Sequence, residues 1–139
     1  MELAGFPKAS LWLEMDVPDT DVCLNLYEVL ADGTAIWMWS DTVRARYRES
    51  EQTAKLMTLG QISLFKFEPG WFVARKLAKG SRLRLIIAAP NSIYWQKNYN
   101  SGGIVADETK ENARTAHVVL HHDPDHQSTL DLPLVSSRQ

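Results

Sequence analysis

The chain has 139 residues and one cysteine, long enough for a domain with its own apolar core and unable to staple itself with an internal disulfide. Its 45% hydrophobic and 23% charged content is that of a globular chain and excludes disordered, collagenous and low-complexity classes. A formal net charge of −2 provides no field to gather nucleic acid or an anionic membrane, so neither partner is expected.

Cys23 stands between apolar neighbours in "DVCLNLY" and reads as a small buried hydrophobe. No stretch reaches the roughly 18 apolar residues of a spanning helix, and "MELAGFPKAS" lacks the basic start and apolar run of a secretory signal. The compartment stays open, with a cytoplasmic location as the default expectation.

Period-two alternation dominates. In "ASLWLEMDV", Leu11, Leu13 and Met15 alternate with Trp12, Glu14 and Asp16, which predicts a strand with one buried face. After "VPDTD", the run "VCLNLYEVL" places Val22, Leu24, Leu26 and Glu28 on one side, and the Asp-Gly pair of "ADGT" predicts a tight hairpin. "AIWMWS" is the expected returning strand, with Trp37 and Trp39 sharing a face. "TVRARYRES" sets Arg44, Arg46 and Arg48 on one face of a further strand, against Val43, Ala45 and Tyr47. Such a face needs water or carboxylates such as Glu14, Asp16 or Glu49, or else an acidic partner domain, since guanidinium suits bidentate interface pairing.

Ile62, Leu64 and Lys66 alternate with Ser63, Phe65 and Phe67, and Glu68-Pro69-Gly70 predicts a turn. "WFVARKLAKGS" has the spacing of one or two helical turns, with Gly80 placed to cap them. "RLRLIIAA" predicts a strand. "PNSIYWQKNYNSGG" has loop composition, "DETKENART" is a polar connector, "AHVVLHH" a strand, "DPDHQS" a hairpin turn and "TLDLPLV" the last strand. About eight short strands with turns roughly 10 residues apart predict an all-β fold, an antiparallel β-sandwich or jelly roll. The absence of βαβ alternation argues against a nucleotide-binding α/β core.

Catalytic signatures are missing. No G-x-S-x-G elbow, P-loop or dinucleotide fingerprint occurs, and Ser101 beside Gly102 and Gly103 does not meet the elbow pattern. "HHDPDH" is the most metal-like stretch, and His121, His126 and a carboxylate would be its ligands. Alternation sends His121 and His122 to opposite faces, and Asp123, Pro124 and Asp125 are ordinary turn formers, so a polar hairpin is the preferred reading and no metal or other cofactor is expected. The loop bearing Tyr94, Trp95 and Tyr99 with Asn91, Asn98 and Asn100 combines aromatic anchors with adaptable amides, as an interface or ligand rim does.

Several of these stretches occur together in one family. "PDTDVCLNLYEVLADGTAIWMWSDTVRARYRES", "KGSRLRLIIAAPNSIYWQKNYNSGG" and "HHDPDHQSTLDLPLV" resemble the C-terminal domain of the X-Pro dipeptidyl-peptidase and CocE/NonD serine hydrolases over nearly the whole chain. The markers are Asp19, Thr20 and Asp21 before a strand, Asp32 and Gly33 at the hairpin, the R-A-R-Y-R run, the K-G-x-R-L-R strand, and a closing H-D…H with Ser128. Gln127 stands where the family usually has proline, and the loop departs from the usual N-F-P-R…R-N-x-N-T-G, keeping Asn91, Asn98, Asn100 and Gly102.

The resemblance implies a non-catalytic jelly roll of galactose-binding-like fold, spanning 1–139 as one domain. It implies a Ser-Asp-His triad on an upstream α/β-hydrolase domain that this chain lacks, together with the family domain's first strand or strands. It implies a module that packs on and stabilises a hydrolase of acyl, ester or peptide bonds, in cis or in trans. Arg44, Arg46, Arg48, Tyr94, Trp95, Asn98 and Asn100 are the expected docking residues, and self-association is admitted. A stand-alone carbohydrate-binding module is the alternative, from the fold relationship and the aromatics.

Overall fold

The computed structural model describes residues 1–68 and 70–135. They form nine strands: β1 (Glu2–Gly5), β2 (Lys8–Met15), β3 (Asp21–Val29), β4 (Ala35–Arg44), β5 (Ser63–Phe67), β6 (Val73–Lys76), β7 (Arg82–Ala88), β8 (Val118–His121) and β9 (Thr129–Asp131). All named pairings are antiparallel, and the only helical turns among the described residues are three short 3-10 turns. Among the described residues, no helix is long and apolar enough to cross a membrane. The molecule is the expected β-sandwich.

One sheet is centred on β2, with β5 on one edge and β8 and β9 in succession on the other; the second has the order β4-β3-β7. β1 pairs with β6, and Leu3 bridges to Leu134. The alternation read from the sequence selects the facing residues. Leu11, Leu13 and Met15 of β2 and Val22, Leu24 and Leu26 of β3 are buried, and Trp39, Phe65 and Phe67 fill the space between the sheets. Each large apolar side chain buried this way contributes on the order of 2 kcal/mol. Glu28 shares that inward face and is fully buried. It accepts from the Ala78 N–H at 2.7 Å and from Arg75, the pairing a buried carboxylate requires.

The Asp-Gly hairpin forms as expected, with Leu30 N–H donating to Thr34 O at 2.9 Å and Gly33 at φ 90°. Four expectations are corrected. Trp37 and Trp39 do not share a face: a bulge opposite Leu26 and Tyr27 adds Met38, so Trp39 and Met38 are buried while Trp37 is half exposed. "WFVARKLAKGS" is not helical. Its residues Val73–Lys76 pair with β1, and Gly80, at φ 82°, belongs to the turn into β7. Cys23 is only half buried, because it lies on the outer face of β3 between inward Val22 and Leu24. The turn predicted at Glu68-Pro69-Gly70 includes Pro69, which lies outside the described residues.

The fourth concerns "HHDPDHQS". β8 and β9 run in the same direction along one edge of β2, so no hairpin separates them. Trp12 faces His121 and Lys8 faces Asp131, so four steps along β2 answer ten along the outer chain, and six residues loop out of an interrupted strand. Ser128 closes the base of this excursion, its Oγ donating to His121 O at 2.7 Å and accepting from Trp12 N–H at 3.0 Å.

The two sides of the sandwich differ. Beside β4 and β5, inward Phe65, Phe67 and Met38 are covered, helped by Ala45 and Met57. Beside β7 and β8, the inward residues Ile87, Val118 and Leu120 are 38%, 42% and 45% exposed. Their partners Leu24, Met15 and Leu13 are buried, which fixes the direction these side chains face.

Candidate functional site

At one end of the sandwich the residues singled out in the sequence form a charged knot. Asp21 opens β3 and Arg44 closes β4, directly opposite in register. Arg44 donates to both Asp21 oxygens, Nε to Oδ1 at 2.7 Å and Nη2 to Oδ2 at 3.0 Å, a bidentate pair that holds the guanidinium above its ordinary pKa range. The chain then turns into a 3-10 segment, Ala45–Tyr47, pinned by Ala45 N–H to Thr20 O at 2.8 Å. This turn brings Arg46 to Asp19: the Arg46 N–H donates to Oδ1 at 2.9 Å and Nε to Oδ2 at 2.8 Å. Asn98 completes the knot, its Nδ2 donating to Asp19 Oδ2 at 2.8 Å and Asp21 Oδ1 at 3.0 Å.

The expected arginine row is therefore corrected. β4 ends at Arg44, so Arg46 and Arg48 lie in or after a turn, not on a strand. Arg48 reaches elsewhere, donating to Ala45 O at 3.1 Å and Lys55 O at 2.8 Å and pairing with Glu49 at 3.0 Å. The guanidinium-bearing side chains of Arg44, Arg46 and Arg48 are 21%, 12% and 5% exposed. They hold the chain together from within instead of presenting a cationic face. Glu14 and Asp16, suggested as their partners, pair instead with His121 at 3.0 Å and His117 at 2.7 Å.

The knot stitches down the loop between β7 and β8. Arg44 Nη1 donates to Gln96 Oε1 at 3.2 Å, and Arg46 Nη2 to Gly103 O at 2.8 Å. Within the loop, Asn100 takes φ 65° and its N–H donates to Asn98 Oδ1 at 2.8 Å, while its side chain donates to Arg114 O. Glu108 accepts from the Ser101 hydroxyl and the Tyr99 N–H; burial opposes its ionisation, and these donors outweigh it to leave its pKa lowered. Ser101 is thus bonded to a carboxylate, not to an imidazole. On this fixed base, Ile93 and Tyr94 project almost fully into solvent and Trp95 is 51% exposed.

Of the expected docking residues, the structure brings Arg44, Arg46 and Asn98 together through Asp19 and Asp21, turns Arg48 away, and leaves Tyr94 and Trp95 exposed on the loop. Sequence reading did not select Asp19 and Asp21 as site residues, although their alternation ahead of β3 aims both carboxylates at one side. It also missed a cleft of about 560 Å³ beneath the loop, whose walls include Leu13, Val22, Ile87, Trp95, Val118 and Leu120. Those apolar residues read as ordinary core in a one-dimensional pattern. At the opposite candidate, His126 is bonded to Asp123 at 3.1 Å and packs edge-on against Trp12, and no three metal-ligating side chains converge among the described residues.

Residues 1–131 match the family described as the X-Pro dipeptidyl-peptidase C-terminal non-catalytic domain. The chain belongs to that family. It is 30% identical over 135 residues to a cocaine esterase from Rhodococcus sp. (strain MB1 Bresler), covering 97% of this chain and 23% of that protein. Among solved structures, an aminopeptidase from a marine sediment Thaumarchaeota archaeon superposes with a TM-score of 0.88 at 18% identity, over 97% of this chain and 24% of the other. An α-amino acid ester hydrolase gives 0.82 at 22% identity, over 95% and 23%. These likenesses establish the fold, and the chain spans about a quarter of the relatives it matches. The chain is a non-catalytic C-terminal domain of the X-Pro dipeptidyl-peptidase and CocE type of hydrolase. Nothing in the match points to the carbohydrate-binding alternative.

Proposed function

We propose that this domain is the accessory jelly roll of a CocE/NonD-type or X-Pro dipeptidyl-peptidase-type serine hydrolase, docking on an α/β-hydrolase catalytic domain in cis or in trans and stabilising it. The observation that carries this reading is the loop Pro90–Gly103. It is held at its base by two buried carboxylates and three side-chain donors, and it displays Ile93, Tyr94 and Trp95 to solvent. A loop that turns Ile93, Tyr94 and Trp95 outward over a base of buried ion pairs exposes apolar side chains on a fixed support, and exposed aromatics on a rigid base are what interfaces use as anchors. Arg44, Arg46 and Asn98 act as positioning residues, and Tyr94 and Trp95 as the contact.

A chimera tests it. Replacing the matching segment of the Rhodococcus cocaine esterase with this chain should give a folded protein that retains esterase activity and melts well above the esterase lacking the segment. The isolated chain should not hydrolyse p-nitrophenyl or aminoacyl esters, and changing Tyr94 and Trp95 to serine should lower the chimera's Tm without unfolding the isolated domain. Enzyme-like hydrolysis by the isolated chain, or a folded chimera no more stable than the truncated esterase, would sink the proposal.

A further inference from the structure

β4 carries a carboxylate in a row that calls for apolar side chains. Asp41 stands opposite Leu24, which is fully buried, so the alternation that turns Trp39 into the core turns Asp41 the same way two residues later. Its Oδ1 accepts the Thr42 N–H at 2.8 Å, and no cation pairs with it among the described residues. Burial pushes the Asp41 carboxyl above its ordinary range, against the opposing Thr42 N–H. Two clefts meet at this residue. One, of about 620 Å³, passes Tyr47 and Lys66 and has Trp95 on its wall; the other, of about 610 Å³, lies over Asn25 and Ser40 and is walled by Trp71 and Trp95. Both tryptophans are more than half exposed. The other half-buried or paired carboxylates of the first cleft are satisfied: Asp21 by Arg44, Glu49 by Arg48 and Lys55, Glu68 by Lys8. Lys66 is exposed and makes no ion pair among the described residues.

We infer that Asp41 and Trp95 seat an arginine side chain of the hydrolase's catalytic domain, its guanidinium paired with the Asp41 carboxylate and its flat face on the Trp95 indole. This rests on the accessory-domain reading for the source of the arginine, and gives the Trp95 contact of that reading its chemistry. A desolvated carboxylate without a counter-ion calls for a cation, and exposed indoles along the same clefts favour one that also binds through its π-facing surface. Arginine meets both demands at once. Its guanidinium is planar and weakly hydrated, so it can pair in its plane while its face lies on a ring, whereas an ammonium is a strongly hydrated point charge. An inward-pointing charge on an edge strand can also serve only to discourage strand pairing, but that role needs neither Trp95 nor Trp71.

Nitrogen-15 NMR on the full 139-residue chain tests this, with N-acetyl-arginine amide as the probe at up to about 50 mM and constant ionic strength. The Thr42 amide and the Trp95 indole N–H should move together along a saturable curve. N-acetyl-citrulline amide, the same shape without the charge, should bind at least roughly tenfold more weakly, and so should the arginine probe to Asp41→Asn. Trp95→Ser should weaken binding roughly threefold, and Lys66→Met should leave it unchanged. To read the source of the arginine, Asp41→Arg should lower the Tm of the esterase chimera more than that of the isolated chain. No saturable shift, equal binding of the citrulline amide, or undiminished binding by Asp41→Asn would overturn the inference and leave Asp41 an edge-protecting charge. Markedly tighter binding by Lys66→Met would make Lys66 the resident counter-ion, and equal Tm losses from Asp41→Arg would turn the seat away from the catalytic domain; either result overturns it. The titration uses the isolated chain, so its failure leaves the result of the parent chimera standing.

Discussion

Arg46 is tied to Asp19 twice, once through its side chain at 2.8 Å and once through its own backbone N–H at 2.9 Å. The carboxylate therefore fixes both the turn after β4 and the guanidinium that reaches Gly103. Asp19 is fully buried, so removing it leaves a largely enclosed cation without its counter-charge. Asp19→Ala should destabilise the domain by about 3–5 kcal/mol in urea unfolding. A double-mutant cycle with Arg46→Ala should return a coupling above roughly 1 kcal/mol; additive effects would mean the pair does not act as a unit.

Asn98 spans both carboxylates and belongs to the loop rather than to the sheets. Its loss should be felt in the loop first. Asn98→Ala should cost about 1–3 kcal/mol and raise acrylamide quenching of Trp95, while far-ultraviolet dichroism stays unchanged. Unaltered quenching would show that the loop holds its shape without the knot.

Gly102 and Gly33 separate two effects that positive φ confounds. Both lie near +80° to +90°, where a side chain is strained. A Cβ at Gly33 meets nothing within 4 Å, whereas one at Gly102 falls 2.8 Å from Pro18 Cγ, just before Asp19. Gly33→Ala should cost about 1–2 kcal/mol, the strain alone. Gly102→Ala should cost about 1–3 kcal/mol more, and equal Tm losses for the two would refute the contact.

Glu28 predicts an acid dependence. Its pKa is lowered by the Ala78 N–H first, then by Ser81 and Arg75, against the opposing effect of burial. A carboxyl whose folded pKa lies below its unfolded one contributes stability in full above about 4.3. That contribution is lost as pH falls through the folded value. The slope of unfolding free energy against pH below about 4.3 should therefore be shallower in Glu28→Gln than in the parent chain, as read by urea titrations at successive pH values. An identical slope would place the acid sensitivity elsewhere.

Much of the fold is legible because strand alternation is a local property. Leu11, Leu13 and Met15 or Val22, Leu24 and Leu26 announce a buried face whatever lies opposite. The same logic fails where one residue breaks the count. Met38 slips Trp37 out of the face of Trp39, and nothing in "AIWMWS" marks the bulge. It fails again where a strand carries a polar excursion, since "HHDPDHQS" has the composition of a hairpin turn but returns to the same edge of β2. "WFVARKLAKGS" shows a third limit: a short segment compatible with a helical turn is drawn into a strand by pairing with Glu2–Gly5.

By itself the sequence determined the all-β class, the inward rows of β2 and β3, the Asp-Gly hairpin and, through the spacing of its motifs, the family. These follow from side-chain periodicity, turn stereochemistry and residue order, which are all one-dimensional. Only the tertiary structure decided where Arg44, Arg46 and Arg48 go, that Asp19, Asp21 and Asn98 meet, and that Ile87, Val118 and Leu120 face inward without cover. Each depends on groups far apart in the chain, Asn98 lying 79 residues from Asp19. A charge in a linear sequence carries no direction, and its partner is chosen by which backbone the folded sheets bring within about 3 Å.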